Sequence, residues 1–206
     1  MRRDYDARLS IHGVGRAVVL VPGMNGTGEL FYRQTPLLQR SFRVATYSLR
    51  DDAESLEVLA EDLAHVIDAA APAERRAIVV GESFGGAVAL TFTLRSPGQV
   101  DALVILNSFA YFAPQIRLRL AIAGLTVLPW SAMPLVRHFT AFRLHSRHTH
   151  QAEVKQFIQR TAHASREGYL NRLKLLRDFD ARARLHQFAG RRCFLRRRER
   201  DATPHS

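Results

Sequence analysis

Ser83 stands in Gly81-Glu82-Ser83-Phe84-Gly85-Gly86, directly after the apolar run Ala77-Ile78-Val79-Val80 and before an alanine-rich stretch of helical character. Strand, sharp turn and helix in that order lift a serine hydroxyl above a parallel sheet, where it can attack a carbonyl carbon. A serine hydroxyl is a weak nucleophile at neutral pH, so it needs a base, usually histidine, and donors for the developing oxyanion. One donor is expected from the backbone N–H of Phe84, which follows the serine. The other is expected from Met24, in Val21-Pro22-Gly23-Met24-Asn25-Gly26-Thr27-Gly28, whose glycines let the backbone turn its amides inward. The same loop could be a phosphate cradle, but it lacks the Lys-Ser/Thr ending of a P-loop.

The elements that must hold these two loops are legible as alternating patterns. Ala17–Val21 is a short, β-branched-rich apolar run ended by Pro22-Gly23, the signature of a strand buried on both faces. Further strands are expected at Arg43–Tyr47, Ala77–Val80, Ala102–Leu106 and Cys193–Leu195. Leu56, Leu59, Leu63, Val66 and Ile67 repeat at helical spacing behind Asp51-Asp52-Ala53-Glu54-Ser55, acids suited to a helix start. Gly86–Leu94 is a second helix, stopped at Ser96-Pro97-Gly98. Strands alternating with helices imply an α/β fold: a mostly parallel sheet with helices on both faces.

After Leu106 about eighty residues pass before another strand candidate, more than a crossover needs, so an inserted helical cap is expected. It opens with Leu120–Val136, uncharged but broken by Pro129 and Pro134, and continues in amphipathic patterns around Val154, Phe157 and Ile158 and around Tyr169, Leu170, Leu173 and Leu176. The expected division is core residues 1–107, a cap or lid at 108–187, and a residual C-terminal core segment at 188–206.

Together, the two loops resemble those of the α/β-hydrolase superfamily, and the resemblance covers nearly the whole chain. More narrowly, Pro22-Gly23-Met24-Asn25-Gly26-Thr27-Gly28 with Gly81-Glu82-Ser83-Phe84-Gly85-Gly86 is similar to the branch that includes plant phytyl ester synthases and small bacterial esterases. That branch usually has aspartate where this chain has Asn25, a residue that also tolerates a left-handed turn. The resemblance implies that Ser83 is the nucleophile, that Gly81 and Gly85 shape its elbow, and that Gly23, Asn25 and Gly26 form the oxyanion loop. It also implies an acid and then a histidine on later loops. Asp201, shortly before Pro204, matches the acid if Cys193–Leu195 presents it. The histidine is expected some tens of residues further on, and the chain ends at Ser206; His205 is too near Asp201 to belong to a separate strand and loop.

No other histidine takes the role. His12, in His12-Gly13-Val14-Gly15, resembles the turn of the family's leading hairpin, and His65 reads as a surface or packing residue. His145, His148 and His150 cluster without a neighbouring carboxylate or cysteine, which favours solvated or capping roles over a metal. Six arginines fall within residues 190–200, where a central strand should be apolar. The expectation is a chain truncated or frame-shifted near residue 190, without its final strand, histidine loop and last helix.

The net charge of +11 invites a nucleic-acid reading. All the excess lies after residue 110, and 28 of the 30 basic residues are arginine. With no nucleic-acid motif or aromatic interleaving, that partner is not expected. The single cysteine, Cys193, cannot form an internal disulfide, and no leader or anchor is evident at the start, so cytoplasmic residence is the default. The expected activity is hydrolysis of a carboxylic ester or thioester of an apolar acyl substrate through an acyl-enzyme on Ser83, with no metal or organic cofactor. An acyltransferase using the same nucleophile and an inactive ligand-binding remnant are the alternatives. Weak contact of the cap with a membrane surface is a further expectation.

Overall fold

The computed structural model describes residues 9–111, 115–127, 151–162, 164–187 and 191–195. The continuous apolar runs become the inner strands: β2 (Ala17–Val21), β3 (Arg43–Tyr47), β4 (Ala77–Glu82) and β5 (Val100–Leu106). With β1 (Leu9–His12) and β6 (Arg191–Leu195) they form a six-stranded sheet among the described residues, ordered β1-β3-β2-β4-β5-β6. Only the β1–β3 pair is antiparallel; the others run parallel. The architecture is the expected α/β one, mostly parallel with helices on both faces.

The helices among the described residues are α1 (Gln34–Leu38), α2 (Leu56–Ala70), α3 (Phe84–Arg95), α4 (Gln115–Val127), α5 (Gln151–Thr161) and α6 (Arg166–Leu175). Side chains alternate across a strand, so β2 serves two cores. Val19 and Val21 join Tyr47, Val79 and Leu103 beneath α2 and α3, whereas Val18 and Leu20 join Val44, Val80 and Phe31 on the other face. Burial on both faces explains why no polar alternation marks these strands.

Helix α2 buries the stripe Leu59, Leu63, Val66 and Ile67. Its start is set by Ser55, whose Oγ accepts from the Val58 N–H at 3.3 Å. The acids expected to favour that start, Asp51, Asp52 and Glu54, all lie ahead of the helix, and the acid in its first turn is Glu57. Ser55→Ala is expected to cost about 1 kcal/mol, the usual worth of such a cap, read as a lowered urea midpoint at unchanged slope.

Two differences from the sequence expectations have physical causes. The His12–Gly15 turn joins β1 to β2, but these strands do not pair; β1 crosses over to β3, so the turn is not that of a hairpin. Strand β1 alternates between half-buried and exposed residues over four positions, too short a pattern to stand out beside polar neighbours. At the other side, the strand expected at Cys193–Leu195 is present and begins two residues earlier. Residues 191–195 pair with β5 from Ala102↔Arg191 to Leu106↔Leu195, and among the described residues β6 is the last strand, with one hydrogen-bonded neighbour. Residues 128–150 and 196–206, with His145, His148, His150, Asp201 and His205, lie outside the described residues.

Between β5 and β6 come α4, α5 and α6, two of them at the amphipathic patterns around Phe157 and Leu173. Among the described residues no helix is long and apolar enough to cross a membrane.

Candidate active site

Ser83 sits where β4 gives way to α3, with φ 51° and ψ −118°. A non-glycine residue there is strained by about 1–3 kcal/mol and persists only when its surroundings dictate it. The surroundings here are specific hydrogen bonds. The Ser83 N–H donates to Leu106 O at 3.0 Å, while Ser83 O accepts from the Gly86 N–H at 3.0 Å and from Ser108 Oγ at 2.5 Å. The elbow is thus clamped from the end of β5. The Ser83 hydroxyl has no hydrogen-bond partner among the described residues.

The turn can be this sharp because α3 starts almost in contact with the loop after β2. A Cβ on Gly85 would overlap Val21 O and stand 2.5 Å from Pro22 O, both backbone atoms that cannot yield. Gly85 therefore brings the elbow against the Gly23–Gly26 segment. The Phe84 N–H opens α3, where helix geometry supplies no intrahelical acceptor.

In the loop, the Gly26 N–H donates to Gly23 O at 3.0 Å, closing a turn over Met24 and Asn25, and the Leu49 N–H donates to Gly26 O at 2.8 Å. Because a trans peptide holds N–H opposite C=O, the Met24 N–H points out of that turn. Asn25 is buried; its Nδ2 donates to Thr27 Oγ1 at 2.9 Å and to Thr27 O at 3.3 Å, and its Oδ1 is buried with no partner among the described residues. The left-handed position of this loop is Gly26, at φ 77°, and Asn25 does not use its tolerance of that conformation.

Two charged groups adjoin the loop. The Glu82 carboxyl lies against Gly23, and burial pushes it up to about 7. Arg172, on α6, is 1% exposed, with Nε donating to Met24 O at 2.9 Å and Nη1 to Asp51 Oδ1 at 3.0 Å. Burial lowers its pKa, and the hydrogen bond and charge of Asp51 push the other way.

A family model described as the alpha/beta hydrolase fold matches residues 16–126, more than half the chain and inclusive of both loops. The chain belongs to the α/β-hydrolase family. This α/β hydrolase is 34% identical over 104 residues to the pimeloyl-[acyl-carrier protein] methyl ester esterase of Vibrio campbellii, a match covering 50% of this chain and 41% of that protein. It is 29% identical over 111 residues to RutD of Caulobacter sp. (strain K31), named provisionally as a carbamate hydrolase, with the same coverages of 50% and 41%. The aligned part is thus less than half of either relative. Among solved structures, an esterase from Exiguobacterium antarcticum superposes with a TM-score of 0.78 at 18% identity, covering 90% of this chain and 75% of that one. A hydrolase from Pseudomonas aeruginosa PA01 gives 0.77 at 22%, covering 91% and 74%. At these identities the likeness is one of fold.

In this α/β hydrolase the elbow of Gly81, Ser83, Phe84 and Gly85 meets the start of the loop that carries Gly23, Met24, Asn25 and Gly26, through Gly85 at Val21 and Pro22 and Glu82 at Gly23; Asp201 lies outside the described residues. Sequence reasoning missed Ser108, the burial of Glu82, and the pair Asp51–Arg172. Arg172 did leave a signal: it falls between Tyr169 and Leu173 on the patterned stretch, a cation at an apolar-facing position.

Proposed function

We propose that this α/β hydrolase cleaves a carboxylic ester or thioester of an apolar acyl group through an acyl-enzyme on Ser83. The observation that carries this reading is the strained Ser83 elbow, its hydroxyl unengaged among the described residues, abutting a loop whose turn directs the Met24 amide outward. Ser83 Oγ attacks the carbonyl carbon and gives its proton to a histidine, which is not among the described residues. The tetrahedral oxyanion takes hydrogen bonds from the Met24 and Phe84 amides. Collapse expels the alcohol or thiol with that proton, and water then releases the acid by the same steps. Asp201 has the acid's role by resemblance and would orient the histidine.

Support for an ester comes from the Vibrio relative, whose name states a methyl ester. An apolar acyl group is favoured by α4, which leaves Ile116, Leu120 and Val127 exposed and is tied to α6 by Arg166 Nη2 donating to Thr126 O at 2.9 Å.

The test is labelling with a fluorophosphonate, which reacts only with an activated serine. The adduct is expected on the peptide containing Ser83 and is expected to vanish in Ser83→Ala. Equal labelling of both proteins would overturn the assignment.

A further inference from the structure

Arg172 is an expensive residue to place where it is. Its side chain is 2% exposed, and a buried guanidinium is tolerated only when its donors are matched. The matching groups come from two loops. Nε donates to Met24 O at 2.9 Å, Nη2 reaches Asn25 O at 3.5 Å, and Nη1 pairs with Asp51 Oδ1 at 3.0 Å.

Space for the group is made on both elements. A Cβ on Gly26 would stand 2.6 Å from Arg172 Cζ, and one on Gly168 would stand 2.9 Å from Nη2. The neighbouring Asn171 pins α6 to the same segment, with Nδ2 donating to Asp51 O at 3.0 Å and to Ala53 O at 2.7 Å. Such a slot fits a planar fork with several donors and does not fit a lysine ammonium.

The peptide joining Met24 to Asn25 is the central unit of the Gly23–Gly26 turn, the unit that flips between the two common turn types. A flip would carry Met24 O away from Arg172 and force Asn25 to positive φ, which it does not adopt. With Gly23 O held by the Gly26 N–H and the next two carbonyls facing the guanidinium, every carbonyl of the turn has a donor. The Met24 N–H, on the peptide whose carbonyl is held inside the turn, is left on the outside.

We infer that Arg172 is a positioning residue: by holding the Met24 and Asn25 carbonyls it fixes the Gly23–Gly26 turn in one form, the turn whose first peptide presents the Met24 N–H, and it couples that oxyanion loop to α6. The inference rests on the reading of Met24 as an oxyanion donor. Arg172 itself touches no reacting atom.

The experiment compares Arg172→Lys, Asp51→Asn and Asn171→Ala in the whole protein, using a p-nitrophenyl acyl ester. Misplacing one oxyanion donor costs up to about a hundredfold to a thousandfold in kcat. Arg172→Lys is expected to lower kcat at least tenfold with KM changed less than threefold, and to speed hydrogen exchange in the peptide spanning residues 22–28. Asn171→Ala loosens α6 without touching the turn and is expected to keep kcat. If all three variants lose activity in proportion to their folded fraction, Arg172 is merely structural and the inference fails. Should Arg172→Lys not fold, Asp51→Asn decides: a lower kcat at constant KM supports positioning, and an unchanged kcat overturns it. Absence of turnover and of a Ser83 adduct in the unmodified protein would instead sink the function proposed above. An adduct there, with Arg172→Lys at full kcat, overturns the role of Arg172 alone.

Discussion

With the histidine base in place, Ser83→Ala is expected to lower ester turnover about a millionfold, the size of loss seen when a hydrolase nucleophile is removed, while the protein stays folded. That corresponds to about 8 kcal/mol of transition-state stabilisation. The residual rate comes from the Met24 and Phe84 amides and from substrate binding, neither of which needs the hydroxyl. Ser83→Gly is expected to lose turnover equally but to gain stability. At φ 51° and ψ −118° the serine Cβ is strained, and the alanine variant keeps that Cβ. Glycine relieves about 1–3 kcal/mol of strain against an added chain-entropy cost of about 0.5–1 kcal/mol, for a net gain of about 1 kcal/mol. Initial rates with a p-nitrophenyl ester and urea midpoints for both variants check this. A glycine variant less stable than the alanine variant would show that the elbow stores no strain.

Glu82→Gln is expected to abolish a loss of stability that the unmodified protein suffers as pH rises from about 5 to about 8. Burial raises the Glu82 carboxyl from 4.5 to about 7, and no cation pairs with it among the described residues. Between those values the folded chain holds a proton that the unfolded chain has released. The stabilisation is therefore complete below about 4.5 and is lost as pH rises through about 7; the full span is worth about 3 kcal/mol. Glutamine keeps the shape and cannot ionise, so the variant should be the more stable protein at pH 8. Urea unfolding of both at pH 5 and pH 8 measures it, because the histidine contributions cancel in the difference. Parallel pH dependences in the two proteins would mean that Glu82 is solvated.

Both predictions start from adjacent residues whose legibility differed sharply. The serine could be found because its motif is local: glycines at fixed spacing between an apolar run and a helix. The glutamate in the same motif gave no sign of burial, since its carboxyl lies against Gly23, far away along the chain. The same division runs through the fold. Ala17–Val21 and Arg43–Tyr47 appear with the expected bounds, because a strand covered on both faces must be apolar throughout. Strand β1 went unseen because four residues with one exposed face carry little pattern. The strand expected at Cys193–Leu195 is present as Arg191–Leu195, and its place beside β5 is a tertiary property.

By itself, then, the amino-acid sequence determined the α/β class, the inner strands, the amphipathic helix at 56–70 and the two loops that meet at Ser83. Each follows from contacts a few residues apart or from an unbroken apolar run. Only the tertiary structure decided that Gly26 and not Asn25 takes the left-handed position, that Ser108 clamps the elbow, and that Arg172 reaches 147 positions back to Asn25. Those arrangements depend on which distant surfaces the sheet and α6 press together, and no local spacing encodes them.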